Sequence, residues 1–125
     1  MKSCKTDILI IGSGIAGLVA AERLSRTHEV TVVTKGAWNH CNSVKAQGGI
    51  AAAVSKQDHW SNHFADTVTA GDFHNLEDAV KLLVERGKES IDYLASLGVS
   101  FDRDSRGQLS LGKEGAHGER RILHA

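Results

Sequence analysis

Gly12-Ser13-Gly14-Ile15-Ala16-Gly17 sets three glycines in the G-x-G-x-x-G spacing, where the branched apolar run Ile8 to Ile11 gives way to an amphipathic segment. The chemistry of such a corner is the holding of a diphosphate. Gly12 permits the tight turn, Gly14 lets main chain approach phosphate oxygens, and Gly17 lets helix and strand lie close together. The start of the helix adds free N–H groups and partial positive charge. A second bare stretch, "VKAQGGIAAAV" from 44 to 54, carries no polar side chain between Gly48 and Val54. Such a segment admits a flat ring system against main chain, and its N–H groups stabilise negative charge that builds on a reduced ring. The alternative is a closely packed strand of small residues with no ligand.

Other residues invite chemistry and are weighed against simpler roles. Nicotinamide-binding proteins place an acidic residue at the end of the second strand, but here that place is Thr34-Lys35-Gly36, and Glu29 stands at the strand's other end. Lys35 fits either a phosphorylated ribose or a flavin family with its own adenosine contacts. His59, His63 and Asp66 share a helical face as metal ligands do, yet "HWSNH" lacks the glutamate of metal-dependent proteases and no further ligand cluster follows. No metal is expected, and His63 is expected to hydrogen-bond Asp66 one turn on. Cys4 and Cys41 are too few for a disulfide framework, and Cys41 is read as inert. Trp38 and Trp60 are read as packing residues.

These groups need elements to hold them. With 125 residues, 15 Lys plus Arg and 15 Asp plus Glu, the chain amounts to one small domain without net charge, which argues against nucleic acid and anionic membrane as partners. The apolar run near the N-terminus is too short for a signal peptide or a spanning helix, so it is predicted as a strand, in a protein of the reducing cytoplasm. Ile8 to Ile11 reads as a strand buried on both faces, and residues 15 to 26 as a helix with Ile15, Leu18, Val19 and Leu24 inward. "EVTVVTK" reads as the parallel strand that completes a βαβ unit. Residues 35 to 46 are predicted as an extended loop. A helix of about three turns should end at Gly71, and a long one should run from an Asn75 cap to Gly98 with Leu76, Val80, Leu83, Val84, Ile91, Leu94 and Leu97 on one side. A hairpin is expected around Ser105, Arg106 and Gly107, and "RRILHA" is strand-like. The fold class is α/β, Rossmann-like, with a sheet that needs residues beyond this chain, which looks cut short.

The stretches "DILIIGSGIAGL", "VTVVTK", "NSVKAQGGIAAA", "FDRDSRGQLSLGKEGAH" and "RRILHA", in this order, resemble the L-aspartate oxidase family, part of the succinate dehydrogenase and fumarate reductase flavoprotein superfamily. The resemblance covers essentially the whole chain and the N-terminal portion of longer family members. It implies an FAD-binding domain whose remainder, capping domain and C-terminal helical domain lie outside residues 1–125. It implies FAD held at its phosphates by Ser13, Gly14, Ile15 and Ala16, with Gly12 and Gly17 completing the cofactor-binding corner. Lys35 would follow the second strand as a cofactor contact, and Asn42, Ser43, Val44, Lys45, Ala46, Gln47, Gly48 and Gly49 would run along the flavin. Asn42 stands where membrane-bound succinate dehydrogenases carry the histidine bonded to FAD. A carboxamide cannot form that bond, so the cofactor is expected to be noncovalent, with His40 as the rival attachment point. Glu114 falls where aspartate oxidases carry a glutamate that orients the substrate ammonium. His117, Arg120 and Arg121 are read as structural.

The activity implied is oxidation of L-aspartate to iminoaspartate, the first step of NAD biosynthesis, with oxygen or fumarate as acceptor and quinolinate synthase as metabolic neighbour. The family's acid-base arginine lies outside these residues, so the fragment alone is expected to be inactive. Two alternatives stay open: a soluble fumarate reductase or succinate-oxidising flavoprotein, and a noncatalytic dinucleotide-binding fragment.

Overall fold

The computed structural model describes residues 3–125. The chain divides into two compact units, one ending at Gln47 and the other beginning at Gly48.

In the first unit, β1 (Ile8–Ile11), α1 (Ile15–Leu24) and β2 (Val30–Val33) form the expected strand, helix and parallel strand, with Ile8 opposite Val30 and Ile11 opposite Val33. Branched side chains favour the extended backbone of both strands. The ladder runs one residue further, because the Gly12 N–H donates to the Val33 carbonyl at 2.8 Å. At the other end, the Asp7 carboxylate accepts the Glu29 N–H at 2.9 Å, which keeps Glu29 away from the glycine corner as anticipated. Burial departs from expectation. Leu9 and Ile11 are 56% and 84% exposed, and Ile15 and Leu18 on α1 are exposed as well, while Val19 and Leu24 are half-buried. Two strands and one helix cover one face of this small sheet, so the alternate residues of β1 have nothing of their own unit to pack against. The predicted loop at 35 to 46 contains a one-turn helix, α2 (Asn42–Lys45), with Cys41 at its N-cap. Trp38 is exposed and does not pack.

The second unit contains β3 (Ile50–Ala51), α3 (Trp60–Ala70), α4 (Glu77–Glu85), α5 (Gly87–Ser96), β4 (Leu111–Gly112) and β5 (Ile122–Leu123). Its antiparallel sheet has the order β3-β5-β4, so the strand-like run near the end of the sequence lies in the middle. One apolar cluster joins Ala52, Ile91, Phe101 and Leu123; another joins Val68, Val80 and Val84, with Trp60 and Phe64 against it. The expected hairpin is present, with Arg103 bridged to Leu109 and the Asp104 carboxylate accepting the N–H groups of Arg106 and Gln108.

The long helix predicted from 76 to 97 is two helices, broken at Arg86. The two clusters explain the break: α4 supplies Val80 and Val84 to one, and α5 supplies Ile91 to the other. Gly87 lies against Ala52, where an added Cβ would come within 3.4 Å of the alanine methyl. Leu76, Leu83 and Leu97, counted on the buried side by periodicity, are exposed. Leu76 rather than Asn75 holds the N-cap position, and the Asn75 side chain fills the space over Gly71 that a Cβ would need.

At the end of α5, Gly98 has φ +97 and open space around it. Gly98→Ala should therefore cost only the left-handed backbone, about 1–2 kcal/mol. A lowered urea midpoint with unchanged slope is the expected result. Among the described residues, no helix is long and apolar enough to cross a membrane.

Candidate functional site: a glycine corner and a glutamate-bearing loop

In the first unit the glycine corner is built by β1, α1 and α2 together. Gly12 has φ +107, a conformation that glycine adopts at no steric cost. A Cβ on Gly17 would stand 2.5 Å from the Gly12 carbonyl oxygen and 3.3 Å from Ile10, so closeness of helix to strand requires a glycine there. Ser13 is buried, its hydroxyl 3.5 Å from that of Thr34 just after β2. Gly14 is the N-cap of α1 in extended conformation, gives no side-chain cap, and is followed by a first turn without acidic residues. The helix thus keeps its partial positive charge uncompensated. Ser43 comes to this point from α2, its Oγ accepting the Ile15 N–H at 3.1 Å.

A helix start without acidic residues, its first amide donating to the Ser43 hydroxyl, suits an anionic diphosphate. Lys35 is exposed one residue past Thr34, and Asn42, Val44, Lys45, Ala46 and Gln47 are exposed too. The structure brings Ser43 to the Gly12–Gly17 corner, a meeting of two predicted segments that spacing alone did not specify.

In the second unit, Gly48 has φ +121 and Gly49 lies against β5. A Cβ on Gly49 would meet Ile122 and stand 2.5 Å from the Leu123 carbonyl oxygen. Close sheet packing is thus sufficient reason for Gly49 to be glycine, and Ala52, a little further on, is part of the core. Glu114 is exposed on the loop after β4, with Oε1 4.0 Å from Nε2 of His124. A cleft of about 640 Å³ runs between 54–57 and 108–111 and contains none of the predicted site residues.

Behind the Glu114 loop is a charged cluster. Arg121 is fully buried and donates from Nε and Nη2 to both oxygens of Asp58, at 2.8 and 3.0 Å, and from Nη1 to Asp66 at 2.6 Å. Asp66 also accepts the Gly118 N–H at 2.8 Å. The expected hydrogen bond between His63 and Asp66 does not form, because Asp66 is engaged by Arg121 and Gly118. His63 is instead buried edge-on to His117 at 5.5 Å, its Nδ1 without a partner among the described residues. His59 caps α3, accepting the Ser61 N–H. Burial lowers the pKa of His63 below its usual 6.5, helped by the Arg121 charge and by His117. For Asp66 burial acts upward, but the Gly118 N–H and Arg121 outweigh it and hold the carboxyl below 3.8. Arg121 is desolvated, which acts against its charge, yet hydrogen bonds to Asp58 and Asp66 raise its pKa further.

The structural reading of Arg121 agrees with this network. Asp58 was missed because its partner lies 63 residues away and no local pattern links them. His124 was passed over as part of a strand.

A parallel strand-helix-strand unit with a phosphate-fitting glycine corner defines a dinucleotide-binding protein, and the chain belongs to the FAD binding domain family, whose sequence model matches residues 7–125. FAD is therefore its cofactor. Within that family it is similar to L-aspartate oxidases: 44% identical to that of Halalkalibacterium halodurans and 46% to that of Bacillus subtilis, each over 121 residues. Those alignments take in 97% of this chain and only 24% and 23% of the relatives, so the chain spans about a quarter of their length. Among solved structures, Mycobacterium smegmatis Sdh1 superposes with a TM-score of 0.91 at 34% identity, over 99% of this chain and 21% of that one. An E. coli quinol fumarate reductase superposes with 0.89 at 27% identity, over 98% and 22%.

Proposed function

We propose that residues 1–125 are the N-terminal segment of the FAD-binding domain of an L-aspartate oxidase, whose sheet and catalytic groups are completed by further chain. The observation that carries this reading is the 44% identity to an L-aspartate oxidase across nearly the whole chain, read together with the phosphate-fitting corner at Gly12–Gly17. The substrate would be L-aspartate, the product iminoaspartate, and the acceptor oxygen or fumarate, in the first step of NAD biosynthesis in the cytoplasm. Quinolinate synthase would consume the product. The segment alone would be inactive.

FAD supplies the two-electron acceptor when bound. The segment Ser13 to Ala16 would hold its diphosphate, with Ser43, which accepts the Ile15 N–H, beside it. Lys35 would serve the adenosine side, and residues 42–49 the flavin side. Asn42 has no nucleophilic ring nitrogen, so attachment would be noncovalent, leaving FAD extractable by heat or acid. Glu114 would accept hydrogen bonds from the substrate ammonium, a group that succinate lacks.

Anaerobic addition of L-aspartate to the full-length flavoprotein should bleach the flavin. Bleaching by succinate and not aspartate would instead identify the succinate-oxidising relative suggested by the fumarate reductase likeness. In the same protein, Glu114→Gln should raise the KM for aspartate on the order of tenfold to a hundredfold, about 1.5–3 kcal/mol for a lost charged hydrogen bond. Succinate inhibition constants should stay within about twofold.

A further inference from the structure

We infer that His124 is the second half of an ammonium clamp with Glu114, and hence a specificity-determining residue; the inference rests on the reading of Glu114 given above. β5 sets the geometry. Leu123 pairs with Ile50 on one side and Leu111 on the other and enters the core, so strand alternation directs His124 to the opposite face of the sheet. Its main chain is fixed there by the Asp102 N–H, which donates to the His124 carbonyl at 2.9 Å.

The imidazole rests on a shelf of two glycines. A Cβ on Gly49 would stand 3.0 Å from His124 Cε1, and one on Gly112 would stand 3.4 Å from Nε2. A side chain at Gly49 would press on the ring, whereas one at Gly112 would only touch it. Nε2 lies toward Gly112, and two residues on, Glu114 reaches to within 4.0 Å of that nitrogen. Both side chains remain partly open to the outside, 43% for His124 and 56% for Glu114.

A separation of 4.0 Å is too long for a direct hydrogen bond and suits a bridging donor. One ammonium nitrogen about 2.8 Å from each end closes the span, donating one proton to the carboxylate and another to the imidazole Nε2. A methylene, as in succinate, offers neither acceptor a proton. The stiff, shelved imidazole also fixes where the flexible glutamate must point, which lowers the ordering cost of binding.

The test uses the full-length flavoprotein and reads binding from the KM for L-aspartate and the inhibition constant for succinate. His124→Leu should weaken aspartate binding about tenfold and leave succinate within about twofold. His124→Gln, which retains an acceptor, should recover most of the loss. The Glu114→Gln/His124→Leu protein should lose less than the two single changes added together, because each removes half of one clamp. If His124→Leu does not fold, judged by its thermal melt, His124→Ala and His124→Gln decide the matter. Equal weakening of both ligands, or none for aspartate, overturns the clamp while leaving the proposed activity intact. A wild-type protein that binds succinate and not aspartate overturns that activity and the clamp with it.

Discussion

Arg121→Leu should destabilise the protein by about 3–5 kcal/mol, the scale expected when one partner of a buried ion pair is removed and the other is left uncompensated. Asp58 and Arg121 both have wholly buried side chains, and the guanidinium satisfies both oxygens of Asp58 while a third nitrogen reaches Asp66. The conservative Arg121→Lys should also cost stability, since an ammonium cannot match the fork that grips Asp58. Replacing Asp58 and Arg121 together by leucine should restore part of the loss, because two apolar groups leave no buried charge. Thermal or urea unfolding of the four proteins checks all of this.

The same cluster dictates an acid response. Asp66 has its folded pKa lowered from 3.8 and His63 from 6.5. For a lowered pKa the unfolded state binds more protons, so the stabilisation is present above the unfolded value and disappears as pH falls through the folded one. Loss of stability should therefore begin below about pH 6.5, where His63 titrates when unfolded, and steepen below 3.8 with Asp66. His63→Leu should remove the first phase and keep the second. A pH series of denaturation midpoints measures both, and an unchanged midpoint between pH 6.5 and 4.5 in the wild type would contradict the assignment to His63.

Gly17→Ala should weaken the hold on the cofactor. The added methyl has nowhere to go: the Gly12 carbonyl oxygen is 2.5 Å from the position it would occupy, and that carbonyl belongs to the turn that presents the amides. Relief requires the helix start to move off the strand or the turn to shift, at about 1–3 kcal/mol for an overpacked contact. Either movement would pull the amides of this segment away from a diphosphate held as proposed above. The full-length variant should retain FAD at least about tenfold more weakly than wild type, the effect of about 1.4 kcal/mol at the site. The flavin absorbance that survives gel filtration reads the difference. Gly36→Ala, at a glycine with open space around it, is the control that should keep its colour.

The glycine corner's backbone was legible in the sequence because it depends on local conformation. Three glycines at fixed spacing, a branched run before them and an apolar period after them specify a strand, a tight turn and a helix start, and β1, the corner and α1 follow that order. The absence of an acidic residue after β2 and the place of Glu29 were equally readable, because a parallel pair puts both strand ends in known positions. Helix ends marked by Gly71 and Gly98 were also found, since a helix stop is a short-range event.

Periodicity misled where the partner mattered. It joined α4 and α5 into one helix, because Val80, Val84 and Ile91 keep helical spacing whether or not they face the same cluster. It turned Ile15 and Leu18 inward, and within the described residues they are exposed, because apolar spacing does not say which part of a chain covers them.

Composition and short-range spacing thus determined the glycine turn between β1 and α1, the α/β class of fold and the positions of most elements, all of which follow from torsional preference and hydrogen bonding within a few residues. Only the tertiary structure decided that Ser43 meets the Ile15 amide, that Arg121 joins Asp58 and Asp66, and that His124 rests on Gly49 and Gly112 beside Glu114. Those contacts join stretches distant in the chain, and their energies come from burial and exact fit of charge, which no local pattern of residue types encodes.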